Sequence, residues 1–386
     1  MDESRDYMKR NIIIFYVLAF LQGLIFYSSV STLYRTSAGI TLAEMGIIEG
    51  VLSLVAVLCE VPWGIICDHI GYRKTLIISN SIYFLSKVVF FKADSFSMFL
   101  LERVLLGISI AGLSGCDSAL LYLSTDKEKT VGVFGKLSMY GTLGMCVASL
   151  SFTLFFKDNF KAAALWTAVA YFITSVITFF LKDVKEEKDK REKADLKQIL
   201  NALSSIAPLL VASVLLTEST HMLSTFYNQL QYERVGIPVG WYGILYMFMQ
   251  ICALSTGMLE KMTERVSKEK LTIVMTLIAC VCSFTMIFVY SALFSVLNFA
   301  VLSVIETMYF AILNTLENDS IHNLPRATVL SVFSLVSNGV IFFVDTGFGA
   351  AADHSLNSAY MLAGSLSLIS LLLFVKWLKV RNENQI

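Results

Sequence analysis

Residues 42–74 read LAEMGIIEGVLSLVAVLCEVPWGIICDHIGYRK. Positions 42–66 form an apolar run interrupted by Glu44, Glu49 and Glu60, and about 20 apolar residues carry a helix across the hydrocarbon layer of a bilayer. The run gives way to Asp68-His69-Ile70-Gly71 and then to two cations, Arg73 and Lys74. Gly64 lets two helices approach closely, and Gly71 permits a tight turn. Asp68 can satisfy helix-end donors or a cation, and Arg73 and Lys74 hold the turn on the cytoplasmic side. The stretch is thus a membrane span arriving at an aqueous face.

Similar runs recur on both sides of it. They lie near 11–34, 75–93, 97–123, 131–156 and 160–181, and then near 203–230, 240–260, 271–291, 293–317, 327–351 and 357–378. With 42–66 they make about twelve spans, the turn around Ser291 and Ala292 being the least distinct. Composition agrees. Of 386 residues 56% are hydrophobic and only 16% charged, where a soluble domain carries about 25% charged residues. The mean hydropathy is +0.68. These values exclude a soluble enzyme, a nucleic-acid binder and a disordered chain. Lys plus Arg and Asp plus Glu are both 30, so no net charge attracts a nucleic acid.

The expected fold is therefore an all-α membrane protein with twelve transmembrane helices in two six-helix halves, 1–182 and 202–386. Between them, 183–201 forms a cytoplasmic linker containing DVKEEKDKREKADLKQ, whose mixed charges at helical spacing suggest a solvated helix. Placing both termini in the cytoplasm puts roughly 22 cations on inside segments against about 5 outside, the asymmetry expected of a cell-membrane protein. Asn11 to Tyr34 is too long for the apolar core of a cleavable leader. The halves carry a faint repeat: AGLSGCDSALLY from Ala111 and AILNTLENDSI from Ala311 each place an acid, Asp117 or Glu317, six residues after the alanine. Repeated halves with a site between them are a common transporter plan.

The turn after the second span resembles the signature loop of the major facilitator superfamily, G-x-x-x-D-[RK]-x-G-[RK]-[RK]. Gly64, Asp68, Gly71, Arg73 and Lys74 match it, while His69 and Tyr72 stand at positions that are usually basic. Leu101-Glu-Arg103-Val-Leu-Leu-Gly107 resembles the family's fourth-helix motif, and Ser114–Tyr122 and Arg326–Ser331 are similar to segments of its bacterial drug-export-like branch. One departure is that the glycine-rich fifth span, GVFGKLSMYGTLG from Gly132, lacks the proline usual in proton-driven antiporters. The resemblance implies two halves rocking about a central cavity lined by helices one, four, seven and ten. It assigns Gln22, Arg103, Glu218, His221 and Glu306 to that cavity.

Ionisable groups at membrane depth are expensive, and they face a cavity or a partner. Glu218 and Glu306 fall near mid-span, where a carboxylate loses most of its hydration and proton exchange can accompany a transport cycle. Glu218 and His221 are three residues apart on one helix face, placed to share a proton or to meet a cationic or polar substrate. Glu49, Lys87, Asp117 and Asp345 form a secondary set of membrane charges. Lys87 is expected to pair with Glu49 or Glu60 of the second span, and Glu102 to lie at the interface. Asp117 and Glu317 suit a gate or helix packing. The aromatics Phe226, Tyr227, Trp241, Tyr242, Tyr246 and Phe248 read as an interfacial belt, with an amphipathic-substrate pocket, including Met247 and Met249, as the alternative.

The expected activity is secondary active transport of a small organic molecule, amphipathic or drug-like, by alternating access with proton-coupled efflux. Import of a nutrient, lipid transport and a non-transporting membrane sensor are the alternatives. No phosphate-binding G-x-x-x-x-G-K-[ST] loop occurs. The four histidines, at 69, 221, 322 and 354, have no metalloenzyme spacing, so no enzyme activity, cofactor or metal is expected. The seven cysteines, of which Cys280 and Cys282 are the close pair, read as small core residues. The implied partners are substrate, protons and lipid, with no nucleic acid, and the expected state is a monomer.

Overall fold

The computed structural model describes residues 2–126, 129–184, 196–254, 259–319 and 326–383. Regular structure among them is entirely helical. The principal helices are α1 (Asp2–Gly23), α2 (Ser31–Ser37), α3 (Leu42–Ile70), α4 (Tyr72–Lys92), α5 (Phe96–Leu113), α6 (Cys116–Leu123), α7 (Thr130–Ser151) and α8 (Phe160–Thr178). They continue as α9 (Leu196–His221), α10 (Asn228–Arg234), α11 (Tyr242–Ala253), α12 (Leu259–Arg265), α13 (Lys268–Thr285), α14 (Ala292–Asp319), α15 (Arg326–His354) and α16 (Leu356–Glu383). Two π-helical segments, Phe152–Phe156 and Met222–Tyr227, extend α7 and α9.

Ten helical stretches among the described residues are long and apolar enough to cross a membrane. Two regions expected to span are not among them. The eighth expected span falls on Val239–Ala253, a shorter apolar helix, and the ninth on α13, whose first three residues Lys268, Glu269 and Lys270 are charged. Most of the expected linker, 185–195, lies outside the described residues.

One compact unit comprises Met1–Ile40, Val51–Asp189 and Val239–Met247. Here α4 packs against α5 and α8, and α1 against α7. The α1–α7 contact needs glycine: a Cβ on Gly144 would run into the Phe20 carbonyl and Gly23 Cα. At one end of the unit Phe15, Leu18, Leu76, Leu120, Leu121 and Leu181 build an apolar core with Cys67 and Cys116. The α3–α4 junction is shorter than a loop. Helix α3 runs to Ile70, through Pro62, and only Gly71, at φ +87°, separates it from α4.

The second unit comprises Thr41–Gly50, Lys190–Pro238 and Phe248–Ile386. Helix α9 is its centre, packed against α14, α15 and α16, while α13 lies on α16. The start of α3 is fixed by a reciprocal cap. The Thr41 N–H donates to Glu44 Oε2 at 2.9 Å, and the Glu44 N–H donates to Thr41 Oγ1 at 3.1 Å, a capping box. One turn on, Gly46 meets Gly349 of α15 so closely that neither position has room for a side chain.

Candidate functional site

The second unit gathers ionisable groups from four elements. Glu218 and His221 lie in the last turn of α9, Glu306 midway along α14, Asp345 in α15 and Glu49 near the start of α3. His221 Nδ1 is 2.9 Å from Glu306 Oε1, and Ser224 Oγ donates to Glu306 Oε2 at 2.8 Å. The Glu218, Asp345 and Glu49 carboxyl groups are close enough to interact electrostatically with one another. Asp345 is 3% exposed and its Oδ1 has no hydrogen-bond partner, and the buried Tyr227 hydroxyl is likewise unpartnered.

Burial here is uneven. The His221 side chain is 41% exposed and that of Glu306 is 25% exposed. These two side chains are partly exposed, whereas Glu49 and Asp345 are buried. The local backbone contributes. At His221 the α-helix passes into the π-helix Met222–Tyr227, whose wider turn changes the phase of the residues beyond it, as such insertions often do at functional sites. Ser224 and Thr225 lie on that segment, and Thr225 Oγ1 is 3.4 Å from His221 Nδ1.

The first unit holds a separate set. Glu102 is fully buried and receives Lys87 Nζ at 3.2 Å and Arg103 at 3.0 Å. Lys87 also donates to the Tyr27 hydroxyl and lies over the rings of Tyr27, Tyr83 and Tyr171, at 5.2–5.9 Å from their centres, a cation–π cage. The expectation for Lys87 is therefore corrected: its acid is Glu102 on α5, not Glu49 or Glu60 on α3. Glu102 is likewise a buried hub, not an interfacial group. The hairpin α4–α5 explains both, since it brings residues 87 and 102 to the same depth.

Arg103 is engaged with Glu102. Gln22 donates to Asn80 Oδ1 at 3.0 Å, and the Gln22 carbonyl accepts from Tyr171. Gln22, Asn80 and Asp117 line a small cavity of about 60 Å³ in the first unit. Asp117 sits in the first turn of α6, just after a break at Gly115 (φ +78°), and accepts from the Ser118 N–H. Glu317 accepts from Ser213 at 3.2 Å in the second unit.

At the signature turn, Gly71 takes the left-handed conformation that favours glycine. The Arg73 N–H donates to Asp183 Oδ1 at 3.0 Å, and its guanidinium donates to the Phe179 carbonyl at 2.8 Å, beyond the end of α8. Asp68 and Lys74 are exposed. Gly64 departs from expectation: it too is exposed, and a Cβ there would meet nothing within 4 Å, so it brings no helices together among the described residues. The expected aromatic belt is also divided. Trp241 and Phe248 are exposed, but Tyr227 and Tyr242 are buried.

Ser224, Thr225 and Asp183 were not singled out by the sequence, and Glu102 was placed at the interface instead of in the core. Ser224 had a signal, being three residues from His221 and hence on its face. Asp183 had none, because its partner lies 110 positions away.

Apolar helices long enough to cross a membrane define the class of polytopic membrane proteins. Residues 12–344 match the family model described as Major Facilitator Superfamily, and the chain belongs to that superfamily. It is 23% identical over 298 residues, 73% of each chain, to the multidrug resistance protein MdtG of Salmonella arizonae. It is 21% identical over 204 residues to the uncharacterized MFS-type transporter MJ1560 of Methanocaldococcus jannaschii, and spans 52% of that relative's length. Among solved structures, the nucleoside transporter NupG aligns with a TM-score of 0.79 at 14% identity, covering 96% of this chain and 99% of that one. A D-xylose-proton symporter aligns at 0.73 and 11% identity, covering 96% and 98%. These likenesses show the fold. Family membership and the apolar helices make the chain a multi-pass membrane protein.

Proposed function

We propose that this chain is a proton-coupled secondary transporter that expels a small amphipathic organic molecule by alternating access. It acts in the plasma membrane as a monomer with both termini in the cytoplasm. The observation that carries the reading is the cluster of ionisable groups in the second unit, in which His221 Nδ1 lies 2.9 Å from Glu306 Oε1 and Ser224 Oγ lies 2.8 Å from Glu306 Oε2. The His221 and Glu306 side chains of this cluster are partly exposed. Three carboxyl groups around one imidazole leave a surplus of negative charge, which protons or a cationic cargo would balance. In this reading Glu218 and Asp345 carry the proton, and Glu306, oriented by His221 and Ser224, exchanges between proton and cargo. Gly71, Arg73 and Asp183 set the turn that must hold its shape as the halves move.

Efflux is supported by the sequence likeness to MdtG. A second reading, uptake of a polar nutrient, is favoured by the hydroxyl and imidazole groups of Ser224, Thr225 and His221 around Glu306. Its structural relatives include the nucleoside transporter and the xylose-proton symporter. Purified chain in proteoliposomes, given lipophilic amines, nucleosides and pentoses with and without an imposed pH gradient, separates the two. The efflux reading expects gradient-driven flux of the amines, lost at least tenfold in Glu306→Gln. Flux confined to nucleosides or pentoses moves the assignment to uptake, and flux indifferent to the gradient removes proton coupling.

A further inference from the structure

We propose that Cys67 and Cys116 form a peroxide-responsive dithiol that closes to a disulfide and staples the signature-turn end of the first unit. Their Sγ atoms are 3.1 Å apart although the residues are 49 positions apart in sequence. Both are free cysteines, 8% and 7% exposed, set in the apolar core of Phe15, Leu76, Leu120 and Leu121. A packing thiol needs no second thiol at that distance. Among the described cysteines this is the contacting pair, whereas Cys280, close to Cys282 in sequence, turns its Sγ toward the Gly364 carbonyl at 3.5 Å.

Position gives the pair a consequence. Cys67 directly precedes Asp68 at the end of α3, four residues before the Gly71 turn. Cys116 directly follows Gly115, the left-handed break between α5 and α6. A bond between them fixes α6 to α3 across that break.

The oxidant is a small uncharged peroxide, which can enter an apolar core that excludes glutathione. One sulfur, as thiolate, attacks a peroxide oxygen; the O–O bond breaks, leaving a sulfenic acid and, after protonation, water. The second sulfur attacks the sulfenic sulfur, the S–O bond breaks, and a second water leaves as the disulfide forms. Two thiols are oxidised and one hydrogen peroxide is reduced to two waters. A dithiol reductant reverses the change, which is the behaviour of redox-sensing pairs in reducing compartments.

The test treats the purified full-length chain in lipid nanodiscs with excess hydrogen peroxide, followed by peptide mass spectrometry and hydrogen exchange. The expected result is a Cys67–Cys116 cross-linked peptide as the main oxidation product. Exchange in residues 114–125 should slow at least threefold, and dithiothreitol should restore both. Cys67→Ser and Cys116→Ser each abolish the slowing, while Cys280→Ser leaves it intact. Sulfinic or sulfonic acid at either position without the cross-link, or a cross-link that leaves exchange unchanged, overturns the proposal. Neither readout depends on transport, so the inference stands or falls apart from the proposed cargo and direction.

Discussion

Glu102 shows how a membrane interior can hold three charges. It faces both Lys87 and Arg103, and the tyrosine rings around Lys87 replace part of the hydration the ammonium has lost. Removing one member of a buried ionic set leaves the others uncompensated, which costs about 3–5 kcal/mol. Glu102→Ala should therefore lower the thermal midpoint in detergent by many degrees. Lys87→Met should be milder, because Arg103 still neutralises the carboxylate. Equal losses in the two variants would show that the set is not organised around Glu102.

Glycines separate two kinds of helix contact. Gly144 touches the α1 backbone, so Gly144→Val must force α1 and α7 apart, an overpacking change costing about 1–3 kcal/mol. Gly64 faces open space in a helix interior, so Gly64→Ala should be neutral or stabilising by about 0.5–1 kcal/mol. Thermal unfolding of the two variants checks the contrast, and a destabilised Gly64→Ala would restore the close-approach role expected from the signature motif. The same contrast marks what the chain makes legible. Spans and turns could be read because hydropathy and glycine or cation punctuation are local. The Gly71 turn is one such feature. Pairings could not be read: Lys87 finds Glu102 across a hairpin, His221 finds Glu306 across 85 positions, and one sequence does not encode the rotation of one helix against another. The π-helix after His221 was invisible for a related reason, since Met222–Tyr227 has the composition of an ordinary apolar turn.

At the scale of the whole molecule, coupling means that cargo moves against its gradient only while protons move down theirs. In the proposed mechanism, Glu218→Gln with Asp345→Asn keeps both side chains polar and uncharged but removes the groups that would carry the proton. This double variant should still exchange labelled cargo across the bilayer, yet accumulate it at least tenfold less under an imposed pH gradient. Exchange and accumulation measured on one proteoliposome preparation check this. Accumulation equal to that of the unmodified chain would take the pair out of the coupling.

The α4–α5 hairpin holds the Lys87–Glu102 pair within itself. Residues 72–113 therefore need not wait for the rest of the chain: if they leave the translocon together as a folded hairpin, Lys87 and Glu102 enter the lipid already neutralised. A mutation that lengthened the turn between the two helices would strand a bare ammonium in hydrocarbon before any cargo had been carried.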